Sequence, residues 1–169
     1  MTQIRDSFHS DLAAIREIHA APFGRADEAD LALRVMSSAK PCVSLVAEED
    51  GELVGHVLFS PVSVDGHSFA RPPMGLAPLA VTPDLQRGGV GSALSRAGLE
   101  ACRALGAPFA VVLGHPSYYP RFGFVPAARF GLTFGAAPPR DSFMALELVP
   151  GALGNARGSV RYAPEFHEA

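Results

Sequence analysis

Positive charge is scarce in this chain, and lysine is almost missing. Of 169 residues, 14 are Lys or Arg and 17 are Asp or Glu, a formal net charge of −3 at neutral pH. Lys40 is the single lysine; base composition explains that bias as easily as physics, and it carries no functional weight. No global basic field arises from this balance, so neither nucleic acid nor an anionic membrane surface is an expected partner. Long apolar runs are also lacking. Phe109-Ala110-Val111-Val112-Leu113 is typical, far below the roughly 18 residues of a bilayer span. Asp6 and Asp11 interrupt the N-terminal stretch, and without a basic opening ahead of an apolar segment no secretory signal is expected. Two cysteines, Cys42 and Cys102, are too few and too distant for a zinc motif or a disulfide framework. A cytoplasmic, metal-free domain is the expectation that remains.

What is present is apolar mass: 48% of residues are hydrophobic and 18% charged. A domain of roughly 150 residues buries about 70% of its unfolded surface, so residues 1–169 read as one domain with a real core. Thr2 to Phe8 suits a first strand. Asp11 reads as the N-cap of a helix with Leu12, Ile15 and Ile18 at helical spacing, ending near Pro22. A polar loop over 24–27 leads to a second helix with Leu31, Val35 and either Leu33 or Met36 inward, closed by Pro41. Strands follow at 43–48 and 53–64 around the turn residues 49–52, then at 74–81. Pro78 donates no ladder hydrogen bond, so that strand should be distorted there and part from a neighbour. A helix over 89–105 presents Val90, Leu94, Ala97 and Ala101 on one face and stops at Gly106. Further strands are expected at 109–113, near Phe124-Val125, at 143–149 and at 159–162, with a short helix or turn at 117–122. The fold class is α+β or α/β, a mixed sheet covered by helices.

The densest chemical signal is Thr82-Pro83-Asp84-Leu85-Gln86-Arg87-Gly88-Gly89-Val90-Gly91-Ser92. A strand ends, the chain turns through glycines and a long helix begins. Amides at a helix N-terminus lack intrahelical acceptors, and the dipole adds about half a positive charge. Glycines bare those amides, so the turn suits a phosphate or diphosphate. A glycine-rich helix start without a ligand is the bland alternative, disfavoured because three glycines are costly there. The missing lysine argues against a nucleoside-triphosphate loop, and Ser92-Ala93-Leu94 after Gly91 breaks the dinucleotide spacing.

Gln86-Arg87-Gly88-Gly89-Val90-Gly91, together with Leu79-Ala80-Val81 before it and Tyr119-Pro120-Arg121-Phe122-Gly123-Phe124 after it, resembles the GCN5-related N-acetyltransferases (GNAT). The stretches 114–124 and 143–153 are similar to the YhbS-like branch of that superfamily, so the resemblance spans nearly the whole chain. It narrows the fold class to α+β in α/β/α layers, and it implies a mixed, mostly antiparallel sheet splayed at the fourth and fifth strands, and acetyl-CoA as acyl donor. It also implies that the backbone of Arg87, Gly88, Gly89, Val90, Gly91 and Ser92 holds the diphosphate beside Gln86. Leu79, Ala80 and Val81 would pair with the pantetheine arm, and Ser117 and Tyr118 would lie against the cofactor. A backbone amide near Val81 would polarise the thioester carbonyl.

The resemblance assigns Tyr119 as the acid that protonates the leaving thiolate, with Tyr118 next door; a phenol near pKa 10 and a thiol near 8.5 are compatible partners. Packing alone is the competing role. No carboxylate occurs in 74–81, where relatives often place a base, so His115 and water relayed to bulk remain candidate bases. His19 and His56 read as packing or surface residues, with the cleft also open to His56. Arg25, Asp27, Glu28 and Asp30 sit where the acceptor loop is expected, though Glu28 and Asp30 equally suit a first helical turn. Phe59, Phe69, Phe130 and Phe134 could line a cleft or a dimer seam. The expected reaction is direct acetyl transfer to an amine of a small molecule or peptide, with no covalent intermediate on Cys42 or Cys102. A homodimer is left open. The competing functions are a non-catalytic acyl-CoA-binding regulatory module and a domain for another nucleotide.

Overall fold

The computed structural model describes residues 2–23, 26–135 and 141–167. β1 (Thr2–Asp6) leads through a short turn of 3-10 helix into α1 (Leu12–Phe23) and α2 (Ala26–Ser38). β2 (Val43–Glu49), β3 (Glu52–Pro61) and the short β4 (Ser63–Val64) follow, then β5 (Met74–Val81), the long helix α3 (Val90–Ala104) and β6 (Phe109–Leu113). The C-terminal part holds β7 (Val125–Pro126), β8 (Leu132–Phe134), β9 (Phe143–Glu147) and β10 (Gly158–Arg161).

Seven strands make one sheet in the order β1-β2-β3-β5-β6-β9-β7, antiparallel except where β5 meets β6. Side-chain alternation divides each strand between two faces. On β3, Val57 and Phe59 pack with Leu94 and Leu99 of α3, whereas His56 meets α1 and Leu58 packs with Val35 of α2. A second sheet, β4-β10-β8, covers the face that α3 leaves free beside β5, β6 and β9. The layers are therefore α/β/α, the α+β arrangement that the family resemblance implies.

Pro78 does to the sheet what a missing N–H must. The β3–β5 register slips between Val57 and Phe59, opposite Ala77 and Pro78, and β5 pairs with β6 only from Met74↔Ala110 to Leu76↔Val112. Beyond Leu76 the fourth and fifth strands of the main sheet diverge.

Several local expectations shift. Asp11 ends the turn rather than capping α1: its carboxylate accepts the Phe8 N–H at 2.6 Å and pairs with the Arg5 guanidinium at 2.8 Å. α1 ends at Phe23, next to Pro22 as expected. The loop expected over 24–27 shrinks, since α2 already starts at Ala26; Gly24 and Arg25 lie outside the described residues. The strand expected over 53–64 breaks at Val62, whose N–H bonds Pro73, and Ser63–Val64 joins the second sheet. The inner face of α3 is rotated toward Ser95, Gly98, Leu99 and Cys102, leaving Ala97 and Ala101 half-buried. Gly98 causes this, because a Cβ there would lie 2.2 Å from the Phe59 ring.

Candidate active site

The end of β5 is prepared to receive an extra strand. Thr82 donates its N–H to Val54 at 2.8 Å, which makes 82/54 a hydrogen-bonded antiparallel pair. Such pairs alternate, so Ala80 and His56 exchange bonds, while the peptide groups of Leu79 and Val81 face away from β3. They face the gap left by β6. The Val81 carbonyl there accepts from Gln86 Nε2 at 3.1 Å, which ties the glycine turn back onto the strand.

The head of α3 completes this corner. Leu85, Gln86 and Gly88 donate to Thr82, Pro83 and Leu85, and the first helical bond runs from Ala93 to Gly89. Among the described residues the N–H groups of Arg87, Gly89, Val90, Gly91 and Ser92 therefore have no backbone acceptor. Gly88 differs from expectation, because its N–H already bonds Leu85 at 3.2 Å. Gly89 adopts φ +92°, a left-handed conformation that favours glycine. At Gly91 a Cβ would come within 3.3 Å of the Tyr118 hydroxyl, so the bare backbone leaves the tyrosine room to approach. The helix thus offers a cluster of outward donors at its positive end, with Arg87 beside them.

Opposite stands the tyrosine turn. Tyr118 Oη lies 3.2 Å from Ser92 Oγ, and Arg121 donates from Nε to the Tyr118 carbonyl at 2.8 Å while its guanidinium sits 4.4 Å above that ring. Leu79, Ala80, Val81, Gln86, Arg87, Gly89, Gly91, Ser92, His115, Ser117, Tyr118 and Arg121 enclose one open cleft of about 830 Å³. Three expected site residues are not among those that line it. Gly88 is turned into its own bend, Val90 points into the core, and Tyr119 packs edge-on behind Tyr118, 5.0 Å between ring centres. Arg121 is an addition, a lining residue outside the set that the resemblance implies.

Burial, then the neighbouring Tyr118, pushes the Tyr119 phenol up to about 12. It is a held proton at neutral pH. His115 is exposed at the rim, and its carbonyl receives the Tyr118 and Tyr119 N–H groups. His56 does not face the cleft: it is fully buried on the α1 side of β3, with Nδ1 2.7 Å from His19 Nε2 and Nε2 2.8 Å from Ser44 Oγ. Desolvation lowers His19 to about 4, and desolvation with the neighbouring ring lowers His56 to about 3, so both are neutral.

Other candidates fall away from the site. Asp30 bonds Arg16 at 2.8 Å on the exposed side of the helix pair, an ordinary surface role. Phe59 is core, Phe69, Phe130 and Phe134 pack against the cluster under the second sheet, and none of the four lines the cleft beside β5. Cys102 is buried, and desolvation pushes its thiol up to about 12; the Cys42 thiol donates to the Ala39 carbonyl. Among the described residues no group of His, Cys, Asp and Glu has metal-binding geometry, and no helix is long and apolar enough to cross a membrane.

Comparison with known proteins agrees with this geometry. The family model described as acetyltransferase (GNAT) domain matches residues 3–127. The uncharacterized N-acetyltransferase YjhQ of Escherichia coli K12 is 42% identical over 134 residues, 76% of this chain and 74% of that protein. YhbS of the same strain is 35% identical over 126 residues, 74% of each. The crystal structure of E. coli YhbS in complex with CoA superposes with a TM-score of 0.89 at 31% identity, covering 98% of this chain and 92% of that one. A Brucella melitensis GNAT acetyltransferase in complex with acetyl-CoA gives a TM-score of 0.80 at 32% identity, covering 98% of both. With its strands parted at Pro78, its amides bared at the head of α3 and these relatives, the chain belongs to the GNAT acetyltransferase superfamily as a YhbS-like member.

Proposed function

We propose that this acetyltransferase moves the acetyl group of acetyl-CoA directly to an amine of a small molecule or peptide, both substrates being bound together. The observation that carries this reading is the corner where unbonded amides at the head of α3 adjoin the outward peptide groups of Leu79 and Val81. The CoA and acetyl-CoA complexes of the two structural relatives support the choice of donor.

The fit follows from the donor set. A diphosphate needs several convergent N–H groups and a positive field, and Arg87, Gly89, Val90, Gly91 and Ser92 supply both. A pantetheine arm carries two amides, whose groups match the alternate peptides of Leu79 and Val81 as a strand would. The Val81 N–H, or its neighbour in the gap, stabilises negative charge that develops on the thioester oxygen. A neutral amine then attacks, the C–N bond forms and the C–S bond breaks. Tyr119, whose ring lies behind the cleft-lining Tyr118 at 5.0 Å between ring centres, is the acid we assign to the departing sulfur, and it gives the proton once the thioester has entered the gap between β5 and β6. Burial keeps the proton on this phenol until a desolvated thiolate, made more basic in its turn, takes it. The proton lost by the amine leaves through His115 or through water at the rim, since β5 carries no acid.

Thiol release from acetyl-CoA against a panel of amines tests the reading. Amine-dependent release that falls about 100-fold in Tyr119→Phe, with CoA affinity kept, supports it. CoA binding without release by any amine would leave a binding module instead.

A further inference from the structure

Where β5 and β6 are still paired below the gap, one face of the sheet is covered by a residue from the far end of the chain. Gly75 is register-paired with Val111, one step before the strands part after Leu76↔Val112. A Cβ on Gly75 would lie 2.5 Å from Tyr162 Cε2 and 2.7 Å from its Cζ, so the ring occupies the space a side chain would take. Tyr162 follows β10 directly, and its hydroxyl donates to the Val111 carbonyl at 3.3 Å. Phe134 and Phe166 meet the ring edge-on at 5.7 and 5.5 Å, and Tyr162 is 8% exposed. The ring is held on four sides. On the opposite face of the sheet, Leu76 and Val112 are sealed against the α3 core.

We propose that Tyr162 is the end wall of the acyl pocket and restricts the transferred group to a short acyl chain. This rests on the acetyl-CoA reading above. A thioester lying along Leu79 and Val81 carries its acyl group toward Pro78, and continued in that direction it meets the junction of β5 and β6. One face of that junction is core, and the other is the Tyr162 ring over Gly75. A close-packed wall of this kind has no spare volume. Each added methylene must displace the ring, and one methylene in a tight pocket changes selectivity about 10- to 200-fold.

Isothermal titration of CoA, acetyl-CoA, propionyl-CoA and butyryl-CoA with parent, Tyr162→Phe and Tyr162→Leu tests this without an acceptor. The parent should bind the longer acyl-CoAs more weakly than acetyl-CoA. Tyr162→Leu should raise the propionyl-to-acetyl affinity ratio about tenfold or more while free CoA binds as before. Tyr162→Phe, which keeps the ring, should hold the parent's ratio. An unchanged ratio in a folded, CoA-binding Tyr162→Leu overturns the assignment and leaves the acetyltransferase reading intact. A parent that binds no CoA overturns both. If Tyr162→Leu does not fold, Tyr162→Met serves: its longer unbranched side chain fills more of the buried space without the ring, so it should also raise the propionyl-to-acetyl ratio, and an unaltered ratio there is equally fatal.

Discussion

Acidification should destabilise this protein before its carboxylates titrate, because of the His19–His56 pair. Both rings are buried, 2.7 Å apart, and burial holds them neutral, at about 4 and about 3 against an ordinary value of 6.5. A depressed histidine contributes stability that is complete above pH 6.5. Below it the unfolded chain takes up protons that the folded chain refuses, so stability falls by about 1.4 kcal/mol per pH unit for each such group. For His19 alone the loss between pH 6.5 and 4 is about 3 kcal/mol, and His56 in the same window deepens it. That is a large share of the roughly 5–15 kcal/mol of a small domain. Asp11 acts in a separate window: Arg5 holds its carboxyl below 3.8, so its contribution is present above that pH and lost beneath it. Urea unfolding followed by far-UV circular dichroism at pH 7.5, 6.5, 5.5 and 4.5 reads the slope directly; the chain has no tryptophan to report by fluorescence. His19→Gln, whose amide can donate to or accept from His56 Nδ1, should flatten the slope by about one proton's worth. A stability that is level from pH 7.5 to 4.5 in the parent would refute the reasoning.

Other perturbations have equally direct readouts. Gly98→Val forces atoms into the Phe59 ring and should lower the unfolding free energy by about 1–3 kcal/mol, checked by equilibrium urea unfolding. Gly89→Asp places a β-carbon at φ +92° and a negative charge among the free amides, so CoA affinity measured by calorimetry should fall tenfold or more. Arg121→Ala removes the guanidinium from the Tyr118 ring and carbonyl; it should weaken CoA binding several-fold in the same titration while the melting temperature moves little. At high pH, burial holds the Tyr119 phenol up to about 12, so spectrophotometric titration should find fewer than the chain's three tyrosines ionising near pH 10 until it unfolds.

The features that could be read from the string of residues are those whose cause is local. Pro78 opens the sheet because a proline has no N–H wherever it stands, and Gly89 and Gly91 bare a helix start because they have no Cβ in any fold. The order of strands and the place of α3 follow from periodicity and punctuation in the same way. Contacts across long separations depend instead on which strand neighbours which and in what register. His19 and His56 looked like unrelated packing residues until α1 crossed β3, and Asp11 looked like a cap until Arg5 lay beside it. Leu79 and Val81 turn outward because Ala80 happens to fall in the hydrogen-bonded pair with His56, a phase that one residue of slippage would invert. Tyr162 gave no local signal at all. It reaches Gly75 only because the final strand folds back over the parted pair, and no pattern along the chain encodes that distance.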